Sequence, residues 1–365
     1  MDVVVFTECP TEDYYRALMY LHEQGKIELQ FRDSRSFYLV FLKIYSSFSF
    51  LRKIGHRFFS KPLQVEKKIT WEEIFSSVSA YFILPFTSKK LVTLFAPYSS
   101  ISLYLFFLKF MKKDLIFMTS WPYWNGKDAA YSGNVLTRFF WRVFLKDIHA
   151  VTVSETARKG LLAYTSHVTQ IPHAVDMRTF YPGEKKKHFQ VLYVGRMIPE
   201  KGLKELLDVA ASLPEISFVF AGGGSFASEL EKVHLKNVSY LGVVRDRKRL
   251  AQLFRESHVF VLNSYKVLGW EELYGIVLLE AMASGTAVIS TDCVGPKEIV
   301  HTEFGILIPQ HSPQKLKDIL VRCAKEEKLL EAMGRNGRKF AEAAYDVEKL
   351  SALWYEVLMG KIFKS

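Results

Sequence analysis

Ten short apolar runs, separated by stretches with helical spacing, constrain the fold of this chain more than any other feature. They are Val3–Phe6, Leu29–Phe31, Leu91–Phe95, Leu115–Thr119, Ala150–Val153, Val191–Val194, Phe218–Ala221, Val238–Leu241, Val259–Leu262 and Ala287–Ser290. Strands that alternate with helices form parallel βαβ units, because two parallel neighbours need a long crossover between them. The pattern therefore predicts an α/β protein with doubly wound parallel sheets.

The alternation is interrupted between Ile171 and Lys187, where two prolines, a glycine and a basic cluster occur. A length of 365 residues also favours two domains over one core. We predict two Rossmann-like lobes that face a cleft, over residues 1–175 and 176–345. The remaining residues, 346–365, contain a predicted helix (Glu348–Phe363) that crosses back to the N-terminal lobe. Ligands of open parallel sheets bind beyond the carboxyl ends of the strands, so the cleft is the expected site.

Composition excludes several classes of protein. With 49% hydrophobic and 24% charged residues, the chain is neither disordered nor fibrous. Its three cysteines lack C-x-x-C spacing, which argues against a disulfide scaffold or a zinc site and favours a reducing, cytoplasmic setting. No secretory signal pattern opens the sequence. The uncharged stretch Leu91–Leu108 is long enough for a transmembrane helix, but Pro97 and its polar neighbours divide it. We interpret it as one buried strand followed by one buried helix.

Most of the positive charge lies in the N-terminal half. The net charge is +11, and residues 1–180 carry 23 Lys and Arg against 15 Asp and Glu, a net of +8. Within them, Ser36–Lys68 combines seven basic residues with one acid and six phenylalanines. This mixture suits an anionic membrane surface, and predicts peripheral binding to the inner membrane. The alternative, that the phenylalanines are core and the cations a solvated face, stays open. No recognisable reading motif favours nucleic acid.

The first candidate binding segment is Val191–Gly202, a predicted strand followed by a turn into a helix. Gly195, Arg196 and Lys201 occupy this turn. Free backbone N–H groups at such a turn, together with two cations, suit a diphosphate. The alternative is a solvated loop with ordinary surface charges.

The second candidate segment is Glu271–Ala283, in which Glu272 and Glu280 lie eight residues apart. A helix that begins near Gly275 places both carboxylates within reach of a ligand above its N-terminus. Carboxylates accept hydrogen bonds from sugar hydroxyls. The alternative, that both are exposed helix acids, conflicts with the apolar run around Glu280, where an unpaired carboxylate is costly.

Two further segments carry weaker signals. The turn Gly222–Ala227 matches the dinucleotide pattern G-x-G-x-x-A, but it follows the second strand of its lobe and lacks the expected acid after the next strand. We therefore do not favour a nicotinamide site. The segment from Ser284 to Glu298 reads as a short strand between turns.

In combination these segments are more specific than each alone. Residues 151–365 resemble the retaining family-4 glycosyltransferases of GT-B architecture. The similarity is carried, in the family's order, by VTVSETARKGL (Val151–Leu161), IPHAVDMRTFYP (Ile171–Pro182), GRMIPEKG (Gly195–Gly202), AGGG (Ala221–Gly224), NVSYLG (Asn237–Gly242), EELYGIVLLEAMASGTAVIST (Glu271–Thr291), VGPKEI (Val294–Ile299) and FGILIP (Phe304–Pro309).

The resemblance implies transfer of a hexose-type sugar from a nucleoside diphosphate donor, with retention of configuration, to a glycan or lipid-linked acceptor. It implies that Arg196 and Lys201 neutralise the diphosphate, that Glu280 binds the ribose, and that Glu272 lies at the donor sugar. The catalytic residues would be Glu272, Arg196 and Lys201. The donor-binding set would be Gly195, Arg196, Lys201, Glu272, Tyr274, Gly275, Ile276, Val277 and Glu280.

Neither a metal nor a cofactor other than the nucleoside diphosphate sugar is expected. The polar loop after Gly242 contains Arg245-Asp246-Arg247, a single acid between two cations, and no Asp-x-Asp pair suited to a divalent ion. Two alternatives remain: a sugar-nucleotide epimerase of the same architecture, and a protein that binds the nucleotide sugar without catalysis.

The N-terminal half departs from the family pattern. The sequence after the first strand, Thr7–Thr11, lacks the paired glycines that the family often has there. Ser120–Gly126 lacks the usual histidine next to the donor sugar. In the C-terminal half, His173, Ala287 and Val294 replace a usual Asn, Pro and Gly. The donor half of the site thus matches the family better than the acceptor half.

Overall fold

The structure is a computed structural model that describes residues 1–8, 12–34, 81–99, 101–124 and 133–362. The basic, phenylalanine-rich stretch Ser36–Lys68 lies outside the described residues, and so do Cys9–Thr11 and Asn125–Gly126.

The N-terminal lobe is a parallel sheet of six strands in the order β2-β1-β3-β4-β5-β6. The strands are β1 (Asp2–Thr7), β2 (Glu28–Asp33), β3 (Lys90–Leu94), β4 (Leu115–Thr119), β5 (His149–Thr152) and β6 (Val168–Gln170). The helices described are α1 (Arg16–Glu23), α2 (Ser102–Phe110), α3 (Val135–Leu145) and α4 (Glu155–Leu161). The prediction of parallel strands is confirmed. It missed β6, which is only three residues long and largely polar.

The C-terminal lobe is a second parallel sheet, in the order β12-β11-β10-β7-β8-β9. Its strands are β7 (Gln190–Val194), β8 (Ser217–Ala221), β9 (Val238–Tyr240), β10 (Val259–Leu262), β11 (Ala287–Thr291) and β12 (Gly305–Ile308). Its helices are α5 (Leu203–Ala211), α6 (Ala227–Leu230), α7 (Arg247–Glu256), α8 (Ile276–Ala283), α9 (Val294–Ile299), α10 (Pro313–Cys323) and α11 (Glu327–Ala344). Counted within the lobe, this is the Rossmann strand order 3-2-1-4-5-6.

The two faces of the N-terminal sheet belong to different cores, and β1 shows why. Successive side chains of a strand point to opposite faces. Val4 and Phe6 join an aromatic core that includes Trp124. Val3 and Val5 join a core that continues through α1 into the C-terminal lobe. The period-2 alternation of this strand thus ties the first sheet to the second lobe.

The chain crosses between the lobes twice, and the two crossings lie side by side. The first is the linker between β6 and β7. The second precedes the last helix, α12 (Val347–Leu358). Val175 in the linker donates its backbone N–H to Tyr345 O, and Val347 donates to Val175 O. The α12 helix then packs on α1 of the N-terminal lobe, where the Tyr20 hydroxyl donates to Glu348. The predicted return of the C-terminal helix is confirmed.

The uncharged stretch Leu91–Leu108 is divided as predicted. Its first part lies in β3 and its second part in α2, a helix of nine residues. In the described part of the chain, no helix is both long enough and apolar enough to cross a bilayer.

Candidate active site

The candidate site lies at the switch point of the C-terminal sheet, where the strand order reverses between β7 and β10. Gly195 follows β7 and Asn263 follows β10, so both begin loops at the carboxyl edge of the sheet. Neighbouring loops diverge at such a point and leave a crevice for a ligand. The predicted site residues lie in or near these loops.

The loop after β7 presents an exposed cation. Gly195 is extended with a positive φ of 153°, and the Arg196 side chain is exposed. Among the residues described, no carboxylate forms an ion pair with Arg196. Its carbonyl accepts a hydrogen bond from the Tyr193 hydroxyl at 2.9 Å, which fixes the backbone of the loop.

The glycine-rich turn after β8 supports this loop from below. A Cβ on Gly222 would lie 1.8 Å from Gly195 O, and one on Gly224 would lie 2.4 Å from Met197 O. Met197 donates its N–H to Gly223 O at 2.9 Å. Close backbone packing explains these glycines. The dinucleotide-like pattern is structural here.

Lys201 and Glu272 form a nearly buried ion pair. The Lys201 ammonium lies against Glu272 Oε2, which also accepts from the Ser264 hydroxyl at 3.3 Å. Lys201 further lies 5.3 Å from the centre of the Trp270 ring. Lys201 ends a short 3-10 helix (Pro199–Lys201) that precedes α5, so it is close to the expected helix opening. The lysine therefore fixes the carboxylate that sequence reasoning placed at the donor sugar.

The N-terminus of α8 opens into the same region. Gly275 caps the helix with φ +95°, a conformation that residues with a side chain rarely adopt. The N–H groups of Ile276 and Val277 belong to the first turn, which has no intrahelical acceptor for them. They carry the positive end of the helix dipole.

The side chain of Tyr274 faces the linker. Its hydroxyl accepts the backbone N–H of His173 at 3.2 Å, and the two rings meet edge to face with centroids 4.7 Å apart. His173 stacks on Tyr14 of the N-terminal lobe at 5.0 Å. Burial lowers the pKa of His173 to about 4, so the imidazole is neutral near pH 7. Tyr274 and His173 thus join the lobes.

Glu280 is buried in α8 and paired. Arg247 Nη2 donates to Glu280 Oε1 at 2.9 Å, and Nη1 of the same guanidinium donates to Asp13 Oδ1 of the N-terminal lobe at 2.6 Å. Arg16 contacts the same Asp13 oxygen at 3.1 Å. Burial raises the pKa of Glu280 to about 7, although Arg247 acts to lower it. Glu280, the predicted ribose ligand, is therefore connected to the N-terminal lobe through Arg247 and Asp13, which alternate in charge.

Sequence reasoning missed two other carboxylates that join the lobes. Glu271 Oε2 accepts from the Tyr123 hydroxyl of the N-terminal lobe at 2.8 Å and pairs with Lys266 at 3.0 Å. Glu298 of α9 accepts the backbone N–H groups of Glu155 and Thr156 at 2.7 and 2.8 Å. It therefore caps the first turn of α4 from the other lobe. Both acids lie within motifs that the sequence analysis quoted, but their partners in the N-terminal lobe are more than 100 positions away.

No group of three or more His, Cys, Asp or Glu side chains suited to a metal occurs in the ranges that the structure describes. Metal independence remains a prediction.

The fold and the C-terminal lobe have recognisable relatives. Sucrose-phosphate synthase from Thermosynechococcus elongatus superposes with a TM-score of 0.70 at 16% identity, over 100% of both chains. Anabaena HepE in complex with UDP-glucose superposes with a TM-score of 0.69 at 14% identity, over 98% of this chain and 99% of that one. Two facing Rossmann-like lobes of this kind define the GT-B fold, which confirms the predicted architecture.

Residues 179–340 match the family model for glycosyl transferases group 1. The N,N'-diacetylbacillosaminyl-diphospho-undecaprenol alpha-1,3-N-acetylgalactosaminyltransferase of Campylobacter jejuni is 28% identical over 210 residues, which are 52% of this chain and 53% of that protein. The chain spans about half the length of most curated relatives it matches.

Proposed function

We propose that this protein is a glycosyltransferase that moves a hexose-type sugar from a nucleoside diphosphate donor to a glycan or lipid-linked acceptor. The observation that carries the proposal is the convergence of one exposed cation, one helix N-terminus and two nearly buried carboxylates at the switch point. Arg196 and the first turn of α8 suit a diphosphate, and Glu280 suits ribose hydroxyls. Lys201 and Glu272 pair with each other, in the segments that precede α5 and α8.

The proposed reaction retains the configuration of the sugar and needs no metal. The bond from the anomeric carbon to the diphosphate oxygen breaks, and negative charge builds on the leaving oxygen. Arg196, Lys201 and the N–H groups of Ile276 and Val277 would stabilise that charge, because preorganised donors act without reorganisation. The acceptor hydroxyl attacks from the side that the diphosphate leaves and passes its proton to a phosphate oxygen. Glu272, held by Lys201, would position the sugar.

The proposed classes of donor and acceptor are based on the names of similar proteins and on the positive charge of the N-terminal half. HepE is described in complex with UDP-glucose, and the Campylobacter jejuni relative is named for an undecaprenol-linked substrate. A uridine nucleotide and a lipid-linked glycan are therefore the first donor and acceptor to try. The proposed setting is cytoplasmic, with peripheral binding to the inner membrane surface.

A panel of nucleoside diphosphate sugars tests the proposal. A true donor at about 100 times its Kd adds roughly 2.7 kcal/mol to the stability of the folded chain, which a thermal shift detects. Transfer of labelled sugar to an extract of lipid-linked glycans should then proceed in EDTA. Interconversion of the donor without acceptor would favour an epimerase. Donor binding without any turnover would favour a binding protein.

Arg196→Ala is the sharpest variant, because the side chain is exposed and its loss leaves no buried charge unpaired. We expect nucleoside diphosphate affinity to fall about 10- to 150-fold, since a charged hydrogen bond contributes roughly 1.5–3 kcal/mol. Nucleoside affinity should stay constant. Lys204→Ala, an exposed cation on α5, is the control. Equal losses for nucleoside and diphosphate would contradict the assignment of Arg196 to phosphate.

A further inference from the structure

Three segments of the N-terminal lobe expose large apolar side chains: residues 81–86, α2 and α3. Their aromatic face consists of Phe82, Phe86, Phe107, Phe110, Val135 and Phe139. Phe86, Phe110 and Val135 are 82%, 73% and 87% exposed. Single exposed hydrophobic residues are ordinary, whereas a contiguous apolar patch marks an interaction surface.

Contacts between the three segments pack them against one another. The Tyr104 hydroxyl of α2 donates to Tyr81 O at 2.8 Å, which joins the first two segments. Phe106 of α2 and Phe140 of α3 meet with ring centroids 5.3 Å apart. The Lys109 ammonium of α2 donates to Phe144 O near the end of α3 at 3.0 Å.

The exposed residues form a stripe on α2. Leu103, Phe107 and Phe110 recur at i, i+4 and i+7, and all are exposed. Leu105 and Leu108 point into the aromatic core of the lobe. The helix therefore has a second apolar face, which stays exposed in the part of the chain that the structure describes.

The charge around the aromatic face is mostly positive. Residues 81–90, 101–114 and 133–147 contain two, three and three Lys or Arg, against two acids, Asp114 and Asp147. Lys89 and Lys90 pair with Asp2 and Asp114. The remaining excess of cations beside an apolar face complements a surface that offers both hydrocarbon and negative headgroups. A second copy of this chain is a poorer match, because a symmetric contact would bring like charges together.

We propose that the aromatic face docks on an anionic phospholipid bilayer, with α2 and α3 lying in the headgroup region. The proposal uses only described residues and is independent of Ser36–Lys68. It rests on the proposed function in one respect, the delivery of a lipid-linked acceptor to the cleft.

Flotation of the full chain with vesicles tests the proposal. The vesicles contain phosphatidylcholine alone or mixed with phosphatidylglycerol, at about 0.01 M and about 1 M salt, where the Debye length is roughly 30 Å and 3 Å. We expect binding to the anionic vesicles alone, and much weaker binding at high salt. Absence of binding to anionic vesicles at low salt would overturn the proposal.

Matched variants distinguish binding through the aromatic face from a general effect of net charge. Reversing Lys112, Arg142 and Lys146 to Glu should lower vesicle partitioning by at least about a hundredfold. Phe107→Ser with Phe110→Ser should lower it by about tenfold or more. The control reverses three exposed C-lobe cations, Lys315, Lys325 and Lys328, to Glu. An equal loss in this control would show a general charge effect and overturn the proposal.

Two more measurements complete the test. Concentration-dependent dimers in sedimentation, abolished by the Phe107 and Phe110 substitutions, would assign the face to a second copy instead. A donor thermal shift without vesicles reports on the cleft and on folding of each variant. Vesicle binding without donor binding would therefore defeat only the proposed function. Donor binding without vesicle binding would defeat this inference and the proposed membrane setting, and would leave the proposed transfer reaction standing.

Discussion

A buried carboxylate in an apolar helix needs a nearby cation, and Glu280 finds one in Arg247. The sequence indicated the need, because an unpaired charge in IVLLEAMA would be costly. It did not indicate the partner, which lies 33 positions upstream at the start of α7. The guanidinium also reaches Asp13 of the other lobe, so it adjusts both the ionisation of Glu280 and the contact between the lobes.

The raised pKa of Glu280 predicts a pH dependence of nucleoside binding. Ionised carboxylates accept stronger hydrogen bonds from hydroxyls than protonated ones. Because the pKa of Glu280 is about 7, affinity should rise between pH 6 and pH 8 as the proton leaves. A nucleoside is the right probe, since phosphate groups themselves titrate near pH 6.

Arg247 should set the midpoint of that profile. Arg247→Ala removes the charge that lowers the pKa of Glu280, so the rise in affinity should move to higher pH. Arg247→Lys should restore part of the shift, and Arg249→Ala, an exposed cation of the same helix, should leave the profile unchanged. A flat dependence of nucleoside affinity on pH, or one that Arg247→Ala does not shift, would show that ionisation of Glu280 does not control nucleoside binding.

At the scale of elements, the turn after β8 acts through the loop after β7. Gly222 has φ +148°, and its Cα faces Gly195 O so closely that no side chain fits. The turn itself makes none of the predicted ligand contacts, but it fixes the height of the Gly195–Arg196 loop above the sheet. The sequence pattern alone does not show whether such glycines bind phosphate or allow close packing of the backbone.

Gly222→Ala should therefore weaken donor binding at a distance. The added Cβ must displace Gly195 O, so we expect a loss of diphosphate affinity together with a lower free energy of unfolding. Gly242→Ala is the matched control, because Gly242 also has a positive φ, +65°, but nothing lies within 4 Å of its Cβ position. The control should lose only about 1 kcal/mol of stability and keep its affinity. Equal affinity losses in both variants would refute the supporting role.

At the scale of the whole molecule, polar side chains of the C-terminal lobe hold the two lobes together. Arg247 pairs with Asp13, Glu271 accepts from Tyr123, and Glu298 caps α4. Arg247 also pairs with Glu280, so the contact between the lobes is coupled to one candidate donor residue. The linker and the segment before α12 run side by side.

Removal of the Glu298 cap should loosen this arrangement. Glu298→Ala leaves the N–H groups of Glu155 and Thr156 without their acceptor, a change that costs about 0.5–2 kcal/mol for helix caps. We expect a larger radius of gyration in solution scattering without donor, which saturating donor reduces. Glu303→Ala removes an exposed carboxylate of the same lobe and serves as the control. Scattering curves identical to those of the wild type would count against a clamp at Glu298.

The sequence by itself determined the parallel strands, the two lobes and the candidate donor residues, because all of these depend on local order along the chain. Apolar runs show buried strands, and a motif such as GRMIPEKG keeps its turn, cations and helix start within eight positions. The short, largely polar strand β6 gave too weak a local signal to be predicted as a strand. The apolar strand β12 was also not predicted, although it lies within the quoted motif FGILIP.

Only the tertiary structure decided which partners the charged side chains take. Glu271, Glu280 and Glu298 look alike in sequence, as acids near a helix, but one meets a tyrosine, one an arginine and one two backbone N–H groups. Tertiary packing also decides which face of α2 is exposed. From the sequence, all of its apolar residues would be predicted to be core, but the stripe of Leu103, Phe107 and Phe110 is exposed. Ion pairing and burial depend on contacts between residues that are distant in the chain. Local sequence patterns contain no information about such contacts.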